Sequence, residues 1–211
     1  IFLFFFCILE RKFFFRIFLA GLIILLIIFQ IKKESIDRAI FHTLNQSNIG
    51  SGKLIIFSLR HSIHYYTAFE IFKDYPILGA GIKSFRKLCS KNEYFEKFYE
   101  KYKQDMKNDG LINGCNTHPH HIYLQFLSET GIINFVLFLS IFIYITYNLF
   151  VLLKRSFFQT LDKENKANYF FLVTIFISMF PLLPSGNYFN NWYIFINYFP
   201  IGFYLSSLIK K

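Results

Sequence analysis

Hydrophobic and polar positions along this chain fall into long blocks rather than short alternations. Ile1 to Leu9 is apolar, and four further apolar runs follow: Phe14 to Ile31, Gly131 to Leu153, Tyr169 to Leu183 and Trp192 to Ile209. A helix needs about 20 residues to cross the roughly 30 Å of bilayer hydrocarbon, so the four runs read as membrane helices and 1–9 as the end of a truncated one. No basic n-region precedes the first run, and no small-residue cleavage site follows it, which argues against a signal peptide. The Tyr169 run is short and is broken by Pro181 and Pro184. Between Ile31 and Gly131 the pattern changes. It predicts a polar lead-in over Lys32 to Gly52, an apolar helix over Lys53 to Tyr75, a Pro-Gly turn over Pro76 to Gly81, and a charged helix over Asn92 to Lys107. A dense polar knot, Asn116 to Gln125, then leads into the next apolar run.

Composition turns this pattern into a class. The 211 residues are 54% hydrophobic and 22% aromatic, with 31 Phe, well beyond what the core of a soluble domain of this size uses. The expected fold is all-α, a polytopic transmembrane helix bundle with a large helical loop. It divides into 1–31 (a truncated and a complete span), 32–130 (the loop) and 131–211 (three C-terminal spans). Glu10-Arg11-Lys12 with Arg16, the Lys154 to Lys166 connection and Lys210-Lys211 are all net basic, whereas Pro184 to Asn191 carries no charge. Cytoplasmic short loops collect Lys and Arg. That rule puts the basic segments inside and the 32–130 loop outside, the latter being too long for its own lysines to count. A net charge of +10 favours anionic lipid and phosphate partners. Nothing in the pattern suggests nucleic acid.

The outer loop is where chemistry can reside. In the Lys53 helix Arg60 and His64 lie four apart and share a face with Thr67 and Ile71. Arg60 either snorkels to lipid phosphates or grips a substrate phosphate with its planar fork. Beyond the turn Asp74-Tyr75-Pro76-Ile77-Leu78-Gly79-Ala80-Gly81, Arg86 with Lys83 and Lys87 forms either ordinary solvated charge or an anion site directed at the same place. The turn itself lacks the Gly-Lys-Ser/Thr of a P-loop. In the knot Cys115, His118, His120 and His121 are conceivable zinc ligands, but they are crowded and lack a second spaced pair. Read instead as a helix start, Thr117 or His118 caps and Pro119 occupies the first turn. Tyr123, Leu124 and Leu127 then begin a buried face, and a histidine stands beside free N–H groups that attract anions. An interfacial cap whose histidines only form hydrogen bonds fits the same residues. Cys89 and Cys115 share the outer loop, where oxidation is permitted; two free thiols are the expectation.

His118-Pro119-His120-His121-Ile122-Tyr123-Leu124-Gln125, followed by Glu129-Thr130-Gly131-Ile132, resembles the His-Pro-His-Asn-x-Tyr-Leu-Gln…Glu-x-Gly pattern of the O-antigen ligase and polymerase superfamily. The upstream block of Arg60, Ala68, Phe72, Asp74, Pro76, Leu78, Gly79 and Gly81 is similar to that superfamily's second motif. The resemblance implies a GT-C type glycosyltransferase of the bacterial inner membrane, active in lipopolysaccharide biosynthesis through a periplasmic loop. It would move a glycan from an undecaprenyl diphosphate carrier to lipid A-core or another glycan or protein acceptor, with no cofactor and no metal. By the same resemblance His120 corresponds to the histidine that activates the acceptor hydroxyl and Arg60 to the loop arginine that holds the diphosphate; Arg86, from its own place beyond the turn, is the second diphosphate-binding candidate. His118, His121, Tyr123, Gln125 and Glu129 are supporting residues, His121 standing where the pattern has Asn. The superfamily's further arginine has no counterpart here except Arg16, which the topology places inside. The ligase, chain polymerase and protein O-glycosylating enzymes share these motifs. The competing class is a transporter, against which stands the scarcity of ionisable residues in the spans after Arg16.

Overall fold

A computed structural model of the chain describes residues 19–24, 26, 58–108 and 110–209. The first apolar run, the polar lead-in, most of the Phe14 to Ile31 run, and Cys7 and Arg16 lie outside the described residues. Of that second run, 19–24 and 26 are helical. Among the described residues the protein is all-helical, with no strand. The helices are α1 (Leu59–Asp74), α2 (Phe85–Leu88), α3 (Asn92–Lys101), α4 (Lys103–Asn108), α5 (Ile122–Phe158), α6 (Lys163–Ser178) and α7 (Asn191–Ile209).

α1 opens on Ser58, whose hydroxyl accepts the His61 backbone N–H at 3.4 Å and so satisfies one of the donors a helix start leaves over. It stops at Asp74 because Pro76 disfavours helical backbone at Tyr75. Its buried face, Leu59, Ile63, His64, Thr67, Ala68 and Ile71, recurs at helical spacing and packs on α3 and the start of α5. The charged helix expected over Asn92 to Lys107 is two helices. Tyr102 leaves helical geometry (φ −119°, ψ 24°), and the bend brings Met106 beneath Leu59, Ile63 and Phe95 as a buried cluster.

α5 joins the loop to the apolar C-terminal part, and it is broken at Gly131 (φ 74°, ψ −177°). The Pro-Gly turn fills the break. Ala80 N–H donates to the Ser128 carbonyl (2.9 Å), Gly81 N–H to Glu129 (3.0 Å) and Ile132 N–H to Pro76 (2.8 Å), so backbone groups released by the break find partners in the turn. Both glycines at the contact have left-handed φ, 74° at Gly79 and 74° at Gly131. A Cβ on Gly79 would strike the Thr130 nitrogen and the Glu129 carbonyl; one on Gly131 would strike the Ile77 carbonyl and the Gly79 nitrogen.

Cys89 and Cys115 are joined in a disulfide, with Cα atoms 4.8 Å apart. This corrects the expectation of two free thiols. Cys89 is fully buried in a cluster with Ala68, Ile71, Phe85 and Tyr94, against which Cys115 packs, and spacing along the chain carries no sign of that meeting. Beyond Gly131, α5 packs on α6, and α6 on α7. α5 and α7 are long and apolar enough to cross a membrane, yet only 22% and 17% of their most apolar windows are buried. Large apolar side chains such as Val136, Ile143, Phe150, Phe195 and Phe199 point outward, a surface suited to lipid rather than water. α6 is shorter and begins with charged residues after its Asp162 cap.

Candidate active site

The polar knot does not start its helix at Thr117 or His118. His120 adopts a left-handed backbone (φ 56°), uncommon for a residue with a side chain, and the helix begins after it. The N-cap is His121, whose Nδ1 accepts the Leu124 N–H at 3.4 Å. Pro119 therefore lies outside the helix, and the first-turn N–H that was expected to face an anion already has an acceptor. The same contact gives a physical account of the departure from the family pattern. An Asn at an N-cap accepts through its side-chain oxygen, and the lone pair on the His121 Nδ1 takes that part. A backbone hydrogen bond to Pro181 holds the ring as well.

His118 and His120 meet two histidines from α1. The His120 ring centroid lies 4.2 Å from that of His118, 5.6 Å from His61 and 5.7 Å from His64, and His121 packs on Tyr65 at 5.1 Å. His61 carried no role in the sequence reading. Its position three residues before His64 and next to Arg60 was the available signal.

Hydrogen bonds assign the protons of several rings, because a carbonyl can only accept and a backbone N–H only donate. His64 Nδ1 donates to the Gly114 carbonyl (2.9 Å). His118 Nε2 donates to the Ser185 carbonyl (3.1 Å), and its Nδ1 meets the Thr117 hydroxyl (2.9 Å). His120 is bound through Nε2 to the Asn116 amide nitrogen at 2.8 Å, and its carbonyl accepts the Ser185 N–H at 2.9 Å. Burial lowers the basicity of His61, His64, His118, His120 and His121 alike. At His120 burial acts first, then the neighbouring His118 and His61, and together they bring it down to about 4. The ring is thus neutral at physiological pH, with a lone pair free of a proton.

The cations approach this cluster through different neighbours. Arg60 is exposed in the first turn of α1, and its charge is felt at His64. Arg86 lines an open polar pocket of about 410 Å³ with Lys83, Thr117, His118, Asn187 and Asn190. Cation, amide and hydroxyl groups in this combination suit a phosphate or a sugar. The pocket's asparagines come from 187–191, a segment that enters the sequence analysis only as an uncharged loop.

The remaining supporting residues face inward. Gln125 is almost completely buried; its amide donates to Glu129 (3.1 Å) and Asn187 (2.8 Å) and accepts the Tyr188 N–H (3.0 Å). Glu129, equally buried, accepts the Phe85 N–H at 3.2 Å. The Tyr123 hydroxyl donates to the Met179 carbonyl at 2.8 Å. Together they bind the first turns of α5 to α2, to the end of α6 and to the 187–188 segment, fixing the floor on which the histidines stand. Of the conceivable zinc ligands, Cys115 is held in the disulfide.

A family model described as O-antigen ligase matches residues 1–139 of the 211, a stretch that includes α1, the Pro-Gly turn, the knot and the Gly131 break. No curated protein and no solved structure matches the chain.

Proposed function

This chain belongs to the O-antigen ligase family, and from that premise we propose that it transfers a glycan from an undecaprenyl diphosphate carrier to an acceptor such as lipid A-core at the periplasmic face of the inner membrane. Membership carries a ligase- or polymerase-type glycosyltransferase role, with a lipid-linked glycan donor and a glycan acceptor. The proposed setting is a polytopic bundle in which α5, α6 and α7 belong to the spanning part and 32–130 to the periplasmic loop.

The observation that carries the proposal is the convergence on His120. A neutral imidazole sits among three other histidines, beside a pocket holding Lys83 and Arg86, and Arg60 acts from the facing helix. In the proposed reaction His120 takes the proton of the acceptor hydroxyl as its oxygen bonds to the anomeric carbon of the donor. The bond from that carbon to the diphosphate breaks, and undecaprenyl diphosphate departs with the electron pair. Arg60 and Arg86 stabilise the charge that gathers on its oxygens. The oxidised Cys89–Cys115 pair supports an outward-facing loop, because disulfides persist in the periplasm and are reduced in the cytoplasm. An apolar groove of about 340 Å³, lined by Ile82, Phe126, Leu137, Met179 and Tyr198 among others, supports seating of an isoprenoid chain alongside the loop.

Complementation tests this reading. The full-length gene, expressed in a strain lacking its own ligase, restores glycan on lipid A-core, and His120→Ala and Arg60→Ala abolish it. Full activity in His120→Ala would remove the base assignment. Lengthening of carrier-linked glycan without attachment to lipid A-core would identify a polymerase.

A further inference from the structure

Asn116 stands four residues before His120, and its side-chain nitrogen lies 2.8 Å from the His120 Nε2. Which end of the amide faces the ring is decided on its other side. Its oxygen lies 2.7 Å from the Thr117 backbone nitrogen, which can only donate, so that end of the amide must be the acceptor. The NH₂ group therefore faces His120 and donates to it. An imidazole nitrogen that accepts a hydrogen bond carries no proton, so in the neutral ring the proton resides on Nδ1. Resting on the reading of His120 as the acceptor-activating base, we infer that Asn116 is a positioning residue that holds His120 in the Nδ1-protonated tautomer, so that the Nε2 lone pair is the basic site.

The loop is constructed to keep this pair in register. Cys115, the residue before Asn116, is held to Cys89 by the disulfide, and the Cys115 N–H is itself accepted by the Asn113 side chain at 3.0 Å. At the other end Ser185 binds the His120 carbonyl through its N–H and the His118 ring through its own carbonyl. His120 has a left-handed backbone, and its ring meets the Asn116 amide. The groups facing the ring are His61 and His64 of α1 and His118 of the knot, with Arg60 acting at His64. None of these contributes an anion that would draw the proton to Nε2. Asn116 is exposed, so its amide can yield its place on Nε2 to an incoming hydroxyl.

A tautomer-setting role and a purely structural one order the variants oppositely. Asn116→Asp keeps the size of the side chain and the oxygen that accepts the Thr117 N–H, so a structural role predicts that Asp is better tolerated than Ala. For the tautomer role Asp is the worse change: a carboxylate has no donor, draws the proton to Nε2 and removes the lone pair from that nitrogen. The test measures glycan attachment to lipid A-core in membranes bearing the full-length protein. Expected are a drop for Asn116→Asp approaching that of His120→Ala, of the order of 10²- to 10⁴-fold for loss of a general base, a smaller drop for Asn116→Ala, and an acid limb moved to higher pH in the Asp variant. Asp equal to or more active than Ala overturns the inference. An independent readout needs no turnover: ¹⁵N spectra of histidine-labelled protein, with His120→Ala to assign the resonance, report which nitrogen is protonated. The expected signal is Nδ1–H in the native chain and Nε2–H in Asn116→Asp, and an Nε2–H signal in the native chain is fatal to the inference. Activity of His120→Ala refutes the underlying base assignment instead, and leaves the spectral result standing.

Discussion

Replacing Gly131 by Ala is the sharpest test of how the loop is fastened to the membrane part. The residue has φ 74° and ψ −177°, a region open almost solely to glycine, where a side chain costs about 1–3 kcal/mol. The new Cβ would also meet the Ile77 carbonyl and the Gly79 nitrogen, and overpacking of this kind typically costs about 1–3 kcal/mol more. If the turn moves away to relieve the clash, it gives up the three backbone hydrogen bonds between the Pro-Gly turn and α5, each worth about 0.5–1.5 kcal/mol. Strain plus either relief route gives a loss of roughly 2–7 kcal/mol, large beside the roughly 5–15 kcal/mol that holds a folded protein together. In a chain of this length that corresponds to a drop in melting temperature on the order of 10 °C, measured on detergent-purified protein by thermal unfolding. Gly202→Ala is the matched control. It lies inside α7 with nothing within 4 Å of a new Cβ, so the better helix former should be neutral or stabilising. A Gly131→Ala melting temperature within a degree or two of the native value would refute the interlock as a source of stability.

Reduction of the Cys89–Cys115 bridge, or the double Ser substitution, should lower stability by roughly 3 kcal/mol for a loop of this size; thiol alkylation with and without reductant, read by mass, checks that the bond is present before the melt is compared. His121→Asn should retain stability and glycan transfer because the N-cap acceptor is kept, whereas His121→Ala should lose about 1 kcal/mol, seen as a lower melting temperature. Stability should also fall on acidification. His61, His64, His118, His120 and His121 all have folded values below the ordinary 6.5, so below about pH 6.5 the unfolded chain binds more protons than the folded one and stability declines toward pH 4. Unfolding midpoints measured from pH 7.5 to 4.5 check this; a flat profile contradicts it.

The apolar blocks announced helices because a helix in lipid must be apolar over most of its surface, and that requirement is written residue by residue. Capping is less legible. Ser58 and Asp162 are ordinary cap residues, but at the knot the left-handed His120 moved the cap to His121, and left-handed backbone, although commoner at histidine than at most residues, is too infrequent for sequence alone to place it. The division of Asn92 to Lys107 falls at Tyr102, which leaves helical geometry with neither Gly nor Pro in that stretch to announce it. The resemblance marked His120 and Arg60, and the helix-start reading put Tyr123 on a buried face, where it lies; Gln125 and Glu129 gave no sign that they face the interior. Polar side chains look alike in a sequence whether they meet substrate or one another.

By itself the sequence determined the helical class and the apolar character of the C-terminal half, both encoded locally in residue type and short spacing, and its motifs carried the family resemblance. The tertiary structure decided which distant groups share a site: His61 and His64 with His120, Asn187 and Asn190 with Arg86, Cys89 with Cys115, and Gly79 with the break at Gly131. These are contacts between segments tens of residues apart, selected by packing and by the need of every buried backbone group for a partner. Packing also settled the part played by His121, the place where the knot departs from its family's pattern: a lone pair at the helix start serves as well on a ring nitrogen as on an amide oxygen.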